Sequence, residues 1–476
     1  MTFDAVVVGA GVSGLATAYD LARYGHDVAV LERQVTVGGN AISERFDGFL
    51  MEHGPSTVNA FVPEAVDFVR ELDLAETRLD LGADVRRRYL QSEGELHGIS
   101  VHPLGFLASN YLSLPGRLSM MCELFRPRLD TAGNETIYAF AARRFGTEFA
   151  GKVMEPLAAG LFAGDARELS VSAVFPKLVE FEQRYGSVTR AVIAARHGKQ
   201  PGKRLFSWPD GIASLPRRMA WSLGERIRLG TAVKGIRKRG GGFAIETAAG
   251  ALHARTVVLA VQPHVAAALV EPVDSETAAA VSGISAPPLS VVFLGYKRSQ
   301  IAHPLDGIGF LSTKDESHVL TGAQFCSTMF SGRAPKGFAA IAGYVGGARN
   351  PDAALLPERE LVECVEAQLK ALLGIGGSPV VCRTRHWPRG LPQYALGHEK
   401  RVDVIESAHE RVPGLFLTGN YLHGVSVANC LATGRRVARR LDALLGALRE
   451  TGSDEAARSD DHVGRRHTME RSGTTK

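Results

Sequence analysis

A mixed α/β (α+β) fold is predicted by three features of the sequence. The stretch DAVVVGAGVSGLATAYDLARYGHDVAVLE, residues 4–32, reads as strand, glycine turn, helix and strand. A second strand, glycine turn and helix appears near the end, in GLFLTGNYLHGVSVANCLATGRRVARRL. Between them, residues 281–400 alternate apolar runs such as LSVVFLGY, GIGFLS and FAAIAGYVGG, the texture of an antiparallel sheet.

In the first stretch, Val6, Val7 and Val8 suit a strand buried on both faces, and Gly9, Gly11 and Gly14 follow in GxGxxG spacing. Gly9 permits the tight turn, Gly11 lets backbone approach a pyrophosphate, and Gly14 allows helix to pack closely on strand. The helix that starts there points its N–H groups and positive dipole end at the phosphate. Glu32 stands 18 positions past Gly14, where an acidic residue accepts hydrogen bonds from a ribose. Gly38 and Gly39 supply more bare backbone, and that favours FAD over NAD because an extended flavin dinucleotide needs a longer cradle.

FDGFLME then reads as a strand, and His53-Gly54-Pro55-Ser56 as a turn that wraps the flavin end of the cofactor. Residues 63–74 read as a helix with proline at its start. VRRRYLQSEGELHGIS is a hairpin turning at Glu93-Gly94, with Arg86–Arg88 an ordinary solvated run. Leu104, Leu107, Tyr111, Leu114, Leu118, Met121 and Phe125 recur at three- or four-residue steps, which predicts a helix with its apolar stripe in the core. Residues 134–151 read as a further helix with Asn134 as N-cap. Gly160 and Gly164 bracket Leu161-Phe162-Ala163, either as a helix-packing device or as the wall of a flat pocket.

Beyond residue 205, Pro209-Asp210-Gly211 is a turn before a helix, and residues 227–261 form a meander whose last strand, TVVLAV, rejoins the parallel sheet. A helix is expected at 357–373. Gly419–Val427 presents backbone N–H groups at a helix start, where a flavin ring or its ribityl chain could dock. The domain reading is a discontinuous Rossmann-like FAD-binding domain (1–84, 201–278 and 408–447), a helical substrate- or membrane-facing domain (85–200), a substrate-binding domain (279–407) and a disordered tail (448–476).

A net charge of +5 argues against a nucleic-acid protein. The five cysteines form no CxxC pair and no zinc-spaced cluster, so neither a disulfide framework nor a metal site is expected. The first strand begins by residue 4 and no apolar run reaches membrane-spanning length, so a cytoplasmic protein is expected.

Four segments together make the chain resemble the protoporphyrinogen oxidase family of FAD oxidases. They are GAGVSGLATAYDL…LERQVTVGG, GLFAGDARELSVSAVFPKLVEFEQRYGS, LPQYALGH and FLTGNYLHGVSVANC. The first is shared with amine oxidases and phytoene desaturases; the second and third are narrower. The resemblance implies six-electron dehydrogenation of a porphyrinogen, protoporphyrinogen IX or coproporphyrinogen III, in three hydride transfers to FAD with O₂ as acceptor. It assigns Gly9, Ala10, Gly11, Val12, Ser13, Gly14, Glu32, Arg33, Gly38, Gly39 and Asn40 to the pyrophosphate, ribose and neighbouring cofactor contacts. Gly54, Pro55, Ser56 and Thr57 would line the flavin, Val233 would hold the adenine, and Gly419, Asn420, Val425, Ser426 and Val427 would lie at the isoalloxazine. Arg88 would pair with a substrate propionate, as a guanidinium fork suits a carboxylate. Gly160 would face the pyrroles, with Phe162 beside it, and no residue is assigned as an acid or base. Asn40-Ala41-Ile42-Ser43 and His97-Gly98-Ile99-Ser100 depart from the family's usual sequence. A peripheral membrane contact and a homodimer are compatible with the resemblance. The rival readings are an amine oxidase or carotenoid-type desaturase on the same fold, and a flavoprotein partner without turnover.

Overall fold

The computed structural model describes residues 2–100, 105–106, 108–129, 134–195, 205–313 and 319–469. Thr2–Val8, whose valines are fully buried, sits mid-sheet, parallel to Val28–Leu31 on one side and to Gly250–Leu259 on the other. Gly250–Leu259 is long enough to serve two partners. Its first half pairs antiparallel with Gly242–Thr247, and its end pairs parallel with Leu415–Leu417. Ile227–Arg228 and Val233–Arg239 complete a seven-stranded sheet whose strands come from three distant parts of the chain. Helices Val12–Arg23, Pro63–Glu71, Ser214–Leu223 and the last helix bury one face, while Pro263–Val270, Ser275–Ser282 and His398–Glu406 bury the other. The last helix crosses the first at van der Waals distance. A Cβ on Gly434 would lie 2.4 Å from Ser13 O, and Thr17 Oγ1 donates to Gly434 O at 3.0 Å.

A second seven-stranded sheet runs in the order Val381–Trp387, Leu289–Lys297, Phe338–Gly346, Leu320–Gln324, Gly307–Ser312, Arg87–Ser92, Glu95–Ile99. It is antiparallel except where Arg87–Ser92 joins Gly307–Ser312. The hairpin at 87–99 therefore belongs to this sheet and not to the helical segment that follows it, because an isolated two-stranded ribbon gains most of its stability by adding to an edge. Helix Glu358–Leu373 covers one face. Side-chain alternation puts Arg88, Leu90, Leu311, Gln324 and Tyr344 on the other, which looks toward the hairpin Ser43–Phe46/Phe49–Glu52 and helix Glu155–Phe162.

Three expectations are corrected. The apolar stripe at 104–125 is not a core stripe: its described second half folds as the helix Leu114–Met121, and Leu114, Leu118 and Phe125 are 69%, 61% and 83% exposed. Pro115 sets this helix start, and Tyr111, just before it, is the stripe residue that is buried; Leu104 and Leu107 lie outside the described residues. The helix at 134–151 begins later, at Ile137, with Thr136 Oγ1 accepting from Ala139 N at 3.1 Å. It stops at Gly146, whose φ of +102° does not fit a helix, and a new helical run starts there. In the tail, the last helix extends from Val427 to Met469 where disorder is expected; residues 455–458, Glu-Ala-Ala-Arg, favour helix and no proline stops it.

One buried carboxylate joins these parts. Glu52, at the end of its hairpin, accepts from Ser43 Oγ at 2.5 Å and from Ile212 N at 3.0 Å, and Arg333 lies 3.4 Å away. Gly211 must be glycine, since its φ is +84° and a Cβ would fall 2.2 Å from Ser43 Oγ. Burial pushes the Glu52 carboxyl up from 4.5 to about 7, and the Ser43 hydrogen bond and Arg333 only partly oppose it. A raised acid binds a proton in the folded state that the unfolded chain has released, so its stabilisation is complete below pH 4.5 and is lost as pH rises through about 7. At roughly 1.4 kcal/mol per unit the loss is on the order of 3 kcal/mol. Thermal unfolding at pH 5 and pH 8 should show wild type losing stability relative to Glu52→Gln over that interval; parallel pH profiles contradict the burial of an uncompensated acid.

Candidate active site

The glycine turn explains itself in two positions and leaves the third open. A Cβ on Gly9, at φ +104°, would lie 2.5 Å from Ala260 O, and one on Gly14 would lie 2.1 Å from Gly9 O. Protein packing alone thus requires both. A Cβ on Gly11 would meet only the Cα of Gly39, at 4.0 Å, and the Gly11 backbone, at φ −74° and ψ 176°, suits any residue. Nothing in the polypeptide forbids a side chain there, so the bare surface fits a group that approaches from outside.

Around it the other N-terminal positions converge. Ala10 N donates to Glu32 Oε2 at 2.8 Å and Gln34 N to Glu32 Oε1 at 2.8 Å, which fixes the carboxylate against the helix start that Val12 and Ser13 open. Gly38 N donates to Ala10 O at 2.9 Å, and Gly11 and Gly38 form an isolated parallel bridge. Thr231 N donates to Glu32 O and Gly230 N to Gln34 O, bringing Val233 to the same end of the cradle. Arg33 is exposed just beyond Glu32.

At the other end, Gly54 sits so close to Asn40 that a Cβ would be 2.6 Å from its carbonyl, and the 53–57 loop is anchored by Trp387 Nε1 donating to His53 O at 2.7 Å. Ser56 Oγ, within that loop beside Pro55 and Thr57, donates to Gln324 Oε1 at 3.0 Å. Ser426 caps the last helix, its Oγ accepting from Asn429 N at 3.2 Å, with Val425 against the helical core and Val427 in the first turn. Asn40 and Asn420, from opposite ends of the chain, line one small pocket with Gln262, His264 and Arg389. It opens beside a cleft of about 710 Å³ lined by His264, Ala268, Ile284, Arg389 and Gln393. Sequence reasoning missed Gln262, His264 and Arg389, which carry no motif of their own.

The LPQYALGH segment proves to be a joint. Tyr394 OH donates to Asn420 O at 2.6 Å and accepts from Gly424 N at 2.8 Å, while its backbone carbonyl accepts from Ser170 N at 2.8 Å. His398 stacks on the Tyr394 ring at 4.0 Å and hydrogen-bonds Leu422 O at 3.2 Å; burial pushes its imidazole down, so the ring is neutral and Nε2–H donates. Gln393 Nε2 donates to Phe162 O at 3.0 Å. A Cβ on Gly164 would lie 2.4 Å from Leu169 Cδ1 and 2.6 Å from Gln393 Oε1, so those two side chains close on it. Gly419, just before Asn420, enters this loop with φ +157°.

On the second sheet, Arg88 is exposed and has no hydrogen bond or ion pair among the described residues, whereas its neighbour Arg87 stands 3.5 Å from Asp306. Gly160 packs directly over Leu311, the register partner of Leu90, and Phe162 meets Phe175 edge to face at 5.6 Å. Arg88, Leu90, Leu311 and Gly160 therefore share one side of the sheet, whereas Phe162 is directed into the helical core.

A glycine cradle, a loop that follows the second sheet and a helix start brought together are an arrangement that suits a flavoenzyme. The sequence profile of the family described as flavin containing amine oxidoreductase matches residues 12–442. The chain belongs to that family. FAD is the cofactor, and oxidoreduction is the chemistry of this flavin-containing family. Among the relatives, the chloroplastic protoporphyrinogen oxidase of Oryza sativa subsp. japonica is 31% identical over 90% of this chain and 86% of that protein. The coproporphyrinogen III oxidase of Bacillus subtilis (strain 168) is 23% identical over 90% of this chain and 96% of its own. A crystal structure from Exiguobacterium sp. 255-15, provisionally named a protoporphyrinogen oxidase, superimposes with a TM-score of 0.81 at 23% identity, covering 92% of this chain and 98% of that one. Among the described residues no helix is long and apolar enough to cross a membrane.

Gly11→Val separates cofactor binding from folding. The variant should unfold within a few degrees of the wild-type apoprotein and yet purify without yellow colour; retained flavin absorbance contradicts the reading of this surface.

Proposed function

We propose that the chain oxidises a porphyrinogen to its porphyrin, removing six electrons and six protons per macrocycle while three O₂ are reduced to three H₂O₂. The unpaired guanidinium of Arg88, on the sheet face that Gly160 covers, is the observation that carries this reading. An amine substrate needs no such cation; a substrate bearing a carboxylate does. The relatives named protoporphyrinogen and coproporphyrinogen III oxidase support the same class.

FAD, when bound, supplies the two-electron redox chemistry. The chain's own work is positional. Gly11 leaves backbone bare for the pyrophosphate, Gly9 and Gly14 hold the turn that presents it, Gly38 and Gly39 lie alongside, and Ala10, Val12, Ser13, Arg33 and Asn40 flank it. Glu32 takes the ribose and Val233 the adenine. Gly54 to Thr57, Gly419, Asn420 and Val425 to Val427 border the ring, while Arg88 anchors a propionate and Gly160 turns bare backbone to the pyrroles. Phe162 supports that wall from behind. No side chain is assigned as a proton acceptor; the pyrrole N–H protons leave to solvent water.

The exposed apolar residues Leu114, Leu118, Met121 and Phe125 support a peripheral membrane contact, with the cytoplasm as compartment. A homodimer stays part of the proposal on the family resemblance alone.

The test is porphyrin fluorescence under air, with coproporphyrinogen III and with protoporphyrinogen IX. Wild type should generate it with at least one substrate. Arg88→Ala should raise KM roughly ten- to a hundredfold, the size of one charge-assisted hydrogen bond, at unchanged flavin content. No fluorescence above the uncatalysed rate with either substrate overturns the porphyrinogen assignment, and loss of flavin in Arg88→Ala makes that residue structural.

A further inference from the structure

Gln324 lies on the same sheet face as Arg88, two strands away, which is about 10 Å of backbone separation. Between them the floor is bare. Gly309 pairs directly with Gln324, and a Cβ there would lie 1.9 Å from Ala323 O, so no side chain can fill the gap. Gly322, opposite Leu311, is required in the same way, with a Cβ falling 2.6 Å from Phe310 O. The face thus carries a cation and a carboxamide with a glycine between them, bordered where Leu311 meets Gly160.

Two hydroxyls meet the carboxamide at its oxygen. Ser56 Oγ donates to its Oε1 at 3.0 Å and Tyr344 OH donates to the same atom at 3.1 Å. Burial pushes the Tyr344 phenol far above its ordinary value, so it stays a protonated donor. With both donors on the oxygen, the two Nε2 hydrogens point elsewhere, and among the described residues Nε2 has no acceptor. A half-buried amide whose oxygen is doubly satisfied and whose nitrogen is not is a donor awaiting a ligand acceptor.

We propose that Gln324 determines substrate specificity by donating an Nε2 hydrogen bond to a second carboxylate of the substrate, on an arm other than the one Arg88 holds. This rests on the porphyrinogen reading and deepens it. The chain then prefers a tetracarboxylate macrocycle, such as coproporphyrinogen III, to a dicarboxylate one, such as protoporphyrinogen IX, whose other arms are apolar. Ser56 and Tyr344 act through Gln324 as positioning residues.

The experiment measures kcat/KM for both porphyrinogens with holoenzyme of wild type, Gln324→Leu and Tyr344→Phe, and records flavin content and absorbance for each. Wild type should favour coproporphyrinogen III. Gln324→Leu should lower the ratio of kcat/KM for coproporphyrinogen III over protoporphyrinogen IX by roughly ten- to a hundredfold, the size of one hydrogen bond to a charged acceptor. The change should lie chiefly in KM, with flavin absorbance unmoved. Tyr344→Phe keeps the ring and loses only the orienting donor, so it should shift the ratio the same way by a smaller factor, and it carries the test if Gln324→Leu does not fold. An unchanged ratio, an equal fall with both substrates or a shifted flavin spectrum overturns the assignment of Gln324. Wild type active only on protoporphyrinogen IX overturns it while the porphyrinogen reading stands; wild type inactive on both overturns the two together.

Discussion

A single phenol holds the two halves of the site in register. Tyr394 is 1% exposed, and its hydroxyl satisfies one backbone carbonyl and one backbone N–H of the loop between Asn420 and Gly424. The same ring packs into the helical core with Phe140, Phe145 and Leu169, so the loop that precedes the last helix cannot move independently of the segment that carries Gly160. Gln393, one residue earlier, ties the end of that segment through Phe162 O. Unpaired buried backbone groups cost about 1–3 kcal/mol each, so the joint is strongly specified by a few hydrogen bonds.

The dependence runs outward from there. A cofactor held as proposed, from Glu32 to Val427, needs the two ends of the chain at fixed separation, and the parallel pairing of Leu415–Leu417 with Val257–Leu259 sets it. The second sheet is set against the 53–57 loop by Ser56, Gln324 and Tyr344, and by Trp387 reaching His53 O. Glycines appear where these pieces come closest: Gly54 on Asn40, Gly164 on Gln393, Gly160 on Leu311, Gly434 on Ser13. Each marks a junction that a methyl group would push apart.

Much of this was legible in the sequence where the signal is local. Gly9, Gly11, Gly14 and Glu32 sit in one strand-turn-helix-strand unit, and the residues that define it are neighbours in the chain. The amphipathic stripe at Leu114–Phe125 was misread because periodicity reports that a helix has an apolar face without saying what covers it. The placement of the 87–99 hairpin was missed for a related reason, since a hairpin's own residues do not name the edge it joins. LPQYALGH stood out only by resemblance. Its physical meaning lies in partners 26, 30 and more than 200 residues away, which no spacing rule encodes. Arg88 is the same case in reverse: within VRRRY it is indistinguishable from Arg87, and only the fold gives Arg87 a carboxylate and leaves the Arg88 guanidinium without one among the described residues.

The central claim is that Tyr394 couples the 420–424 loop to the helix that carries Gly160. Hydrogen–deuterium exchange of holo wild type and Tyr394→Phe, read by peptide, tests it most directly. The account predicts that exchange accelerates together in peptides covering 420–424 and 160–170, with the rest of both sheets unchanged. Acceleration confined to 420–424, with 160–170 as protected as in wild type, would contradict it.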